Sequence, residues 1–271
     1  MLIMFATKHA TPATYRALLF GLGTQKDSAW SKIHGDNDLY YVRQILDNAG
    51  FTDIVQVKNE KATKQGMVRA FIDLTNRCHK GDVVYIPYSG HGQLMTDLDG
   101  DEALRTNASY ARWDEAWIPY DAYMYYGEND RGEKHFCDDE VDFYLSTIRK
   151  RIGKKGQLIV VVDACHSGDA TYGEENEPVR GIDVKFNMPQ SEVTLTPSVK
   201  DEQWLTISAC KPYQLCTELK DMHIGKLTYA LYALGKRMFT MSNEELQRVL
   251  DGYMEMNQGH FPQNPVVSGR K

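Results

Sequence analysis

One uninterrupted apolar run in the chain is Leu158-Ile159-Val160-Val161-Val162, rich in β-branched residues. A run of that length and composition predicts a strand buried on both faces, as at the centre of a parallel sheet. It passes directly into Asp163-Ala164-Cys165-His166-Ser167-Gly168. A second apolar stretch has the same design: Asp82-Val83-Val84-Tyr85-Ile86-Pro87-Tyr88 leads into Ser89-Gly90-His91-Gly92. Residues 15–23 predict a first strand stopped by glycines, and 52–57 a short one. Between these runs the apolar period changes to that of helices. Leu39, Val42, Ile45, Leu46 and Ala49 share one face, with a helix start at Asn37-Asp38. Met67, Phe71, Leu74 and Cys78 share another, and Val141, Leu145, Ile148 and Ile152 a third, opened by the acids Asp138-Asp139-Glu140. Further on, 204–210 reads as a strand, 227–238 and 243–256 as helices, with Ser242 as a cap, and 266–267 as a last short strand. Residues 93–133 carry too little periodicity to predict elements, and 173–203 read as an exposed linker. Alternating strands and helices predict an α/β protein of three layers around a mostly parallel sheet.

Composition narrows the function classes. At 271 residues the chain can build a sizeable core without disulfides or metals. A net charge of −6 argues against nucleic acid or an anionic membrane as partner. Five cysteines without a C-x-x-C pair suit a reducing compartment, where a thiol stays available for chemistry. The apolar patch at residues 2–6 is too short for a secretory signal, and no run approaches a membrane span. The expectation is a cytoplasmic protein.

In open α/β sheets the chemistry sits beyond the carboxyl ends of the strands. Two strands deliver Cys165 and His91 to that edge, each in a glycine-flanked turn, and together they form a candidate nucleophile–base pair. The backbone N–H groups of Cys165 and Gly92 are candidates for holding an oxyanion. Asp163 lies two residues before Cys165 and, by strand alternation, on the same face.

These motifs resemble those of the caspase-like cysteine peptidases, and more closely the metacaspases and the bacterial orthocaspases. The resemblance runs on through Asp97-Leu98-Asp99-Gly100-Asp101-Glu102, Asp114-Glu115-Ala116-Trp117, Asp138-Asp139, Ile207-Ser208-Ala209-Cys210 and Gly225-Lys226-Leu227-Thr228. It implies one caspase-like three-layer α/β/α sandwich over 1–271. A large-subunit-like part would cover 14–172 and a small-subunit-like part 204–271, joined by the linker at 173–203. It also implies an endopeptidase with a Cys165/His91 dyad that cuts proteins or peptides after Arg or Lys. Asp38, Ser89 and Asp163 would form the pocket for the basic side chain, since carboxylates hold a guanidinium and repel an acid. The further implications are calcium held by Asp114, Asp138 and Asp139, and a zymogen switched on by calcium, a signal molecule or self-cleavage. Arg180, Lys185 and Lys200 are the candidate cleavage points. A monomer acting in a cell-death or defence-type pathway completes the expectation. The rival from another class is a catalytically silent scaffold of the same fold that binds a partner or ligand. One departure is visible: near Thr171-Tyr172 an acid expected for calcium is missing. A zinc site from His135, Cys137 and His166 has no standard spacing.

Overall fold

The structure, a computed structural model, describes residues 12–100, 113–166, 178–189, 203–212, 214–257, 259 and 261–270. Six strands form the central sheet in the order β11-β8-β7-β3-β1-β2. These are β1 (Tyr15–Gly21), β2 (Asp53–Lys58), β3 (Val83–Ser89), β7 (Gln157–Asp163), β8 (Leu205–Ser208) and β11 (Val266–Gly269). All pairings are parallel except that of β11 with β8. Alternation along the strands sends side chains to two cores. Ala17, Leu19, Tyr85, Ile159 and Val161 face one; Leu18, Phe20, Val84, Ile86, Leu158 and Val160 face the other.

Helices α1 (Gly35–Asn48), α4 (Lys226–Leu234) and α5 (Asn243–Met256) cover the first face through Leu39, Val42, Leu227, Leu231 and Leu246. Helices α2 (Lys64–Arg77) and α3 (Asp138–Ile152) cover the second through Phe71, Leu74, Leu145 and Ile148. The apolar positions predicted for α1, α2 and α3 are buried, except Ala49, which caps α1 and is partly buried. Ser242 caps α5, its hydroxyl accepting from the Glu245 N–H at 3.2 Å. Among the described residues no helix is long and apolar enough to cross a membrane.

Three expectations need correction. Helix α1 starts at Gly35, two residues before Asn37, because Asp38 serves the pocket described below rather than the helix end. The polar stretch 93–133 contains β4 (Gly92–Thr96) and β5 (Trp113–Trp117), which with β6 (Phe136–Cys137) make a small antiparallel sheet. Its burial is irregular, so period-2 patterning is weak there. The described part of the supposed exposed linker, 178–189, is largely inside: Val179, Arg180, Ile182, Phe186 and Met188 are buried. It runs beside β4 with bridges at Gly92–Gly181 and Met95–Phe186. Ile182, Phe186 and Met188 complete a third apolar cluster with Trp30, Met95 and Met124.

Candidate active site

The sheet register assembles the site. Ser89 and Asp163, the last residues of β3 and β7, are paired across the parallel ladder. His91 and Cys165 each follow two residues later, so equal offsets bring them out side by side at the carboxyl edge. Glycine is required at 92: a side chain there would strike the Cys165 carbonyl oxygen, 2.5 Å from its Cβ position.

His91 is buried, with Nε2 2.8 Å from the Ser31 carbonyl oxygen. That contact makes Nε2 the protonated nitrogen, leaving Nδ1 as a lone pair with no hydrogen-bond partner among the described residues. Trp30 lies against the ring, at 5.2 Å between centroids. Burial lowers the His91 pKa, against the opposing influence of the Ser31 carbonyl and Cys165, which keeps the imidazole neutral and basic. At Cys165 burial works against ionisation. Hydrogen bonds with the Cys210 and Cys216 thiols and the Cys216 backbone, with the electrostatic influence of His166, outweigh it and hold the thiol well below its ordinary range.

Beside this pair lies an acidic pocket, and Arg180 of the same chain fills it. The guanidinium is fully buried. It grips Asp38 with two nitrogens, at 2.5 and 3.1 Å. It also reaches Glu218 at 3.0 and 3.1 Å and lies 3.5 Å from an Asp163 oxygen. The Ser89 hydroxyl donates to Asp38 at 2.6 Å and stands 3.3 Å from the guanidinium. The acids are tolerated inside because helix α4 begins there. The Gly225 N–H donates to Asp38 at 3.0 Å and the Thr228 N–H to Asp163 at 2.9 Å, so the pocket acids satisfy first-turn donors of the helix. Burial, with Asp38 nearby, still pushes Asp163 up to about 6, although Arg180 and Thr228 pull it down. Burial also acts to raise Glu218, but Arg180 and His34 reverse this and lower it. A Cβ at Gly225 would fall 2.6 Å from the guanidinium, so only glycine leaves the pocket open at that wall.

The backbone that carries Arg180 lies against Cys165. Its carbonyl oxygen accepts from the Cys165 N–H at 3.1 Å and the Gly92 N–H at 3.3 Å. Gly181 follows, and a Cβ there would stand 2.5 Å from the Cys165 sulfur. The Arg180–Gly181 peptide bond is thus laid directly over the thiol. A cavity of about 310 Å³ opens alongside, lined by Trp30, Ser31, His91, Met124, Val179 and Ile182.

The structure therefore brings together His91, Cys165, Gly92, Asp38, Ser89, Asp163 and Arg180. Lys185 is exposed on the surface, its ammonium 4.8 Å from the centre of the Trp113 ring and away from the thiol. Lys200, Asp169, Thr171, Tyr172 and Glu174 lie outside the described residues. Asp114 is buried on β5, and Asp138 and Asp139 sit in the first turn of α3. Among the described residues no three His, Cys, Asp or Glu side chains gather as metal ligands, and no step is assigned to a metal. His135 instead contacts Gln93 at 2.9 Å and Asp130 at 3.3 Å, a buried polar group beneath Phe186.

Sequence reasoning missed Glu218, Thr228, Gly225 and Ser31. Gly225 and Thr228 lay within a motif noted for resemblance alone. Glu218 sits on the two-residue strand β9 (Glu218–Leu219), too short to carry a pattern, and Ser31 acts only through its carbonyl.

A parallel sheet between helices with a cysteine and a histidine at its edge defines the caspase-like fold. Solved structures agree. Over 95% of this chain the match to a Geobacter sulfurreducens protein has a TM-score of 0.65 at 20% identity, covering 94% of that chain. Caspase-1 from Spodoptera frugiperda gives a TM-score of 0.62 at 11% identity, covering 95% of this chain and 88% of that one. Residues 16–172 match the family described as metacaspase, peptidase C14 domain, and the chain belongs to that family. Among curated relatives, Metacaspase-1A of Neurospora crassa is 24% identical over 86% of this chain and 46% of its own length. Metacaspase-1 of Pyricularia oryzae is 28% identical over 48% of this chain and 28% of its own. This chain thus spans under half of either relative.

Proposed function

We propose that this protein is a cysteine endopeptidase that cuts after arginine, and after lysine less well, with Cys165 as nucleophile and His91 as general base and acid. The observation that carries the reading is Arg180, whose side chain fills the acidic pocket while its carbonyl oxygen rests on two backbone N–H groups above the thiol. In this reading His91 Nδ1 takes the Cys165 proton and the sulfur attacks the carbonyl carbon. The Cys165 and Gly92 N–H groups hold the resulting oxyanion, and His91 returns the proton to the departing nitrogen. The Ser31 carbonyl keeps the imidazole in the useful tautomer and orientation. Asp38, Glu218 and Asp163, with Ser89, bind the basic side chain. Asp38 does so with two oxygens, a geometry that favours a planar guanidinium over an ammonium.

The same arrangement supports self-cleavage between Arg180 and Gly181, of the three candidate points the one seated at Cys165. Until that bond is cut or the segment withdraws, Arg180 competes with any substrate, which makes the intact chain a zymogen. The test is hydrolysis of fluorogenic peptides ending in Arg, Lys or Asp, with and without millimolar calcium, beside Cys165→Ala. Arg cleavage that vanishes in the variant supports the assignment. Cleavage after Asp would sink the pocket assignment. No turnover, together with no cut at Arg180, would favour the silent scaffold. The calcium arm decides whether activation needs the ion.

A further inference from the structure

Two further cysteines stand beside the proposed nucleophile. Cys210 follows strand β8 and Cys216 lies six residues on, with their sulfurs 2.6 Å apart. A disulfide bond is about 2.05 Å long, so the pair needs to close by only roughly half an ångström. The Cys216 thiol donates to the Ala164 carbonyl at 3.3 Å, which anchors it against the residue preceding Cys165. Cys165 and Cys216 belong to one buried cluster, and Cys210 packs against it. Cys210 is partly exposed, whereas Cys165 and Cys216 are buried, so the cluster runs from the surface to the site. All five cysteines are free, but only these three form one group; Cys78 and Cys137 lie on other elements.

We propose that Cys165, Cys216 and Cys210 form a thiol relay that passes peroxide oxidation of Cys165 onto a Cys210–Cys216 disulfide and gives back the Cys165 thiol. In the first step the Cys165 sulfur attacks the outer oxygen of a hydroperoxide, forming a sulfenic acid and releasing an alcohol, or water when the oxidant is hydrogen peroxide. Cys216 then attacks that sulfenic sulfur, releasing water and forming a Cys165–Cys216 disulfide. Finally Cys210 attacks the Cys216 sulfur, and Cys165 leaves as its thiolate and is protonated. Two electrons from the Cys210–Cys216 pair reduce one peroxide, and a cellular dithiol resets the pair by ordinary exchange. Without a neighbouring thiol, a sulfenic acid proceeds to sulfinic acid, which the cell cannot ordinarily reverse. A protein that keeps a reactive thiolate gains protection from such a pair. The chemistry rests on the position of the three sulfurs and holds whether or not Cys165 cleaves peptides.

The test is a hydrogen peroxide time course on the full chain, stopped by alkylation and read by intact mass and non-reducing peptide mapping. Wild type should pass through a Cys165–Cys216 link and end with Cys210 joined to Cys216 and Cys165 alkylated. Cys210→Ser should stop at the Cys165–Cys216 link and be restored by dithiothreitol. Cys216→Ser should gain two oxygens on Cys165, with wild type doing so roughly tenfold more slowly. Equal rates of sulfinic acid formation in wild type and Cys216→Ser would overturn the relay. So would a Cys210–Cys216 disulfide forming as fast in Cys165→Ser, because the pair would then be oxidised without passing through Cys165. No oxidation of any of the three also overturns it. The wild-type intermediate decides the matter even if a serine variant folds poorly.

Discussion

Replacing Arg180 with alanine in a Cys165→Ala background tests the docked segment without interference from cleavage. The side chain is fully buried and makes four charged hydrogen bonds, two each to Asp38 and Glu218. Removing one partner of a buried ion network typically costs about 3–5 kcal/mol, because the remaining charges lose their counter-ion. Here three carboxylates are left facing one another. Their escape is to take up a proton, which for a carboxyl of ordinary pKa near 4 costs about 4 kcal/mol at pH 7, and water entering the vacated pocket lowers the toll further. About 3 kcal/mol is therefore expected at neutral pH. With an unfolding entropy of about 2.1 cal/mol/K per residue over 271 residues, that is a fall in Tm of roughly 5 °C. The pH dependence has a definite sign. Without Arg180, Glu218 loses the cation that holds it low, and Asp163, already at about 6, rises further. A carboxyl whose folded pKa exceeds its unfolded value costs stability as pH climbs from the unfolded value toward the folded one. The Tm gap between parent and variant should thus be larger at pH 7 than at pH 5, and Arg180→Lys should close part of it. Differential scanning calorimetry at both pH values reads this. A gap below about 1 °C at pH 7, or one that widens on acidification, would refute the burial of Arg180 in an acidic pocket.

Other consequences follow from the same geometry. Glu218→Gln removes one anion from the pocket and should lower kcat/KM for Arg peptides about 10- to 100-fold, mainly through KM; an unchanged KM would remove Glu218 from substrate binding. For wild type, KM for an Arg peptide should rise as pH falls toward about 6, across the range in which Asp163 holds a proton in the empty pocket but not beside a bound guanidinium. Asp163→Asn should weaken binding at neutral pH and abolish that acid limb, as a KM–pH profile would read. Gly181→Val places a Cβ against the Cys165 sulfur and should unseat the segment. Mass spectrometry should then find no product ending at Arg180, while initial rates on a small Arg peptide rise; continued cutting at that bond would contradict the seating described.

The central sheet, its helices and the placing of Cys165 and His91 at one sheet edge were legible in the sequence because each rests on a local rule. The apolar run before Cys165 and the run before His91 have the length and β-branching of buried strands, and each leads, after two intervening residues, to the candidate cysteine or histidine. Helices α2 and α3 announced themselves through an unbroken 3.6-residue period, and α5 had a cap in Ser242. Asp163 was readable from strand alternation and Asp38 from its resemblance to a family motif. Other features depended on contacts across long separations. Glu218 on a two-residue strand, Gly225 and Thr228 at the start of α4, and the Ser31 carbonyl acquire their roles only when the chain folds back over the sheet edge. The segment 178–189 shows the difference most plainly. Its polar, proline-bearing composition reads as an exposed linker, since no period survives in it. Only the tertiary structure supplies the three carboxylates that draw Arg180 inside, the two N–H groups that take its carbonyl, and the apolar cluster that buries Ile182, Phe186 and Met188. A charged side chain is buried where its counter-charges converge, and that convergence is a property of the fold, invisible along the chain.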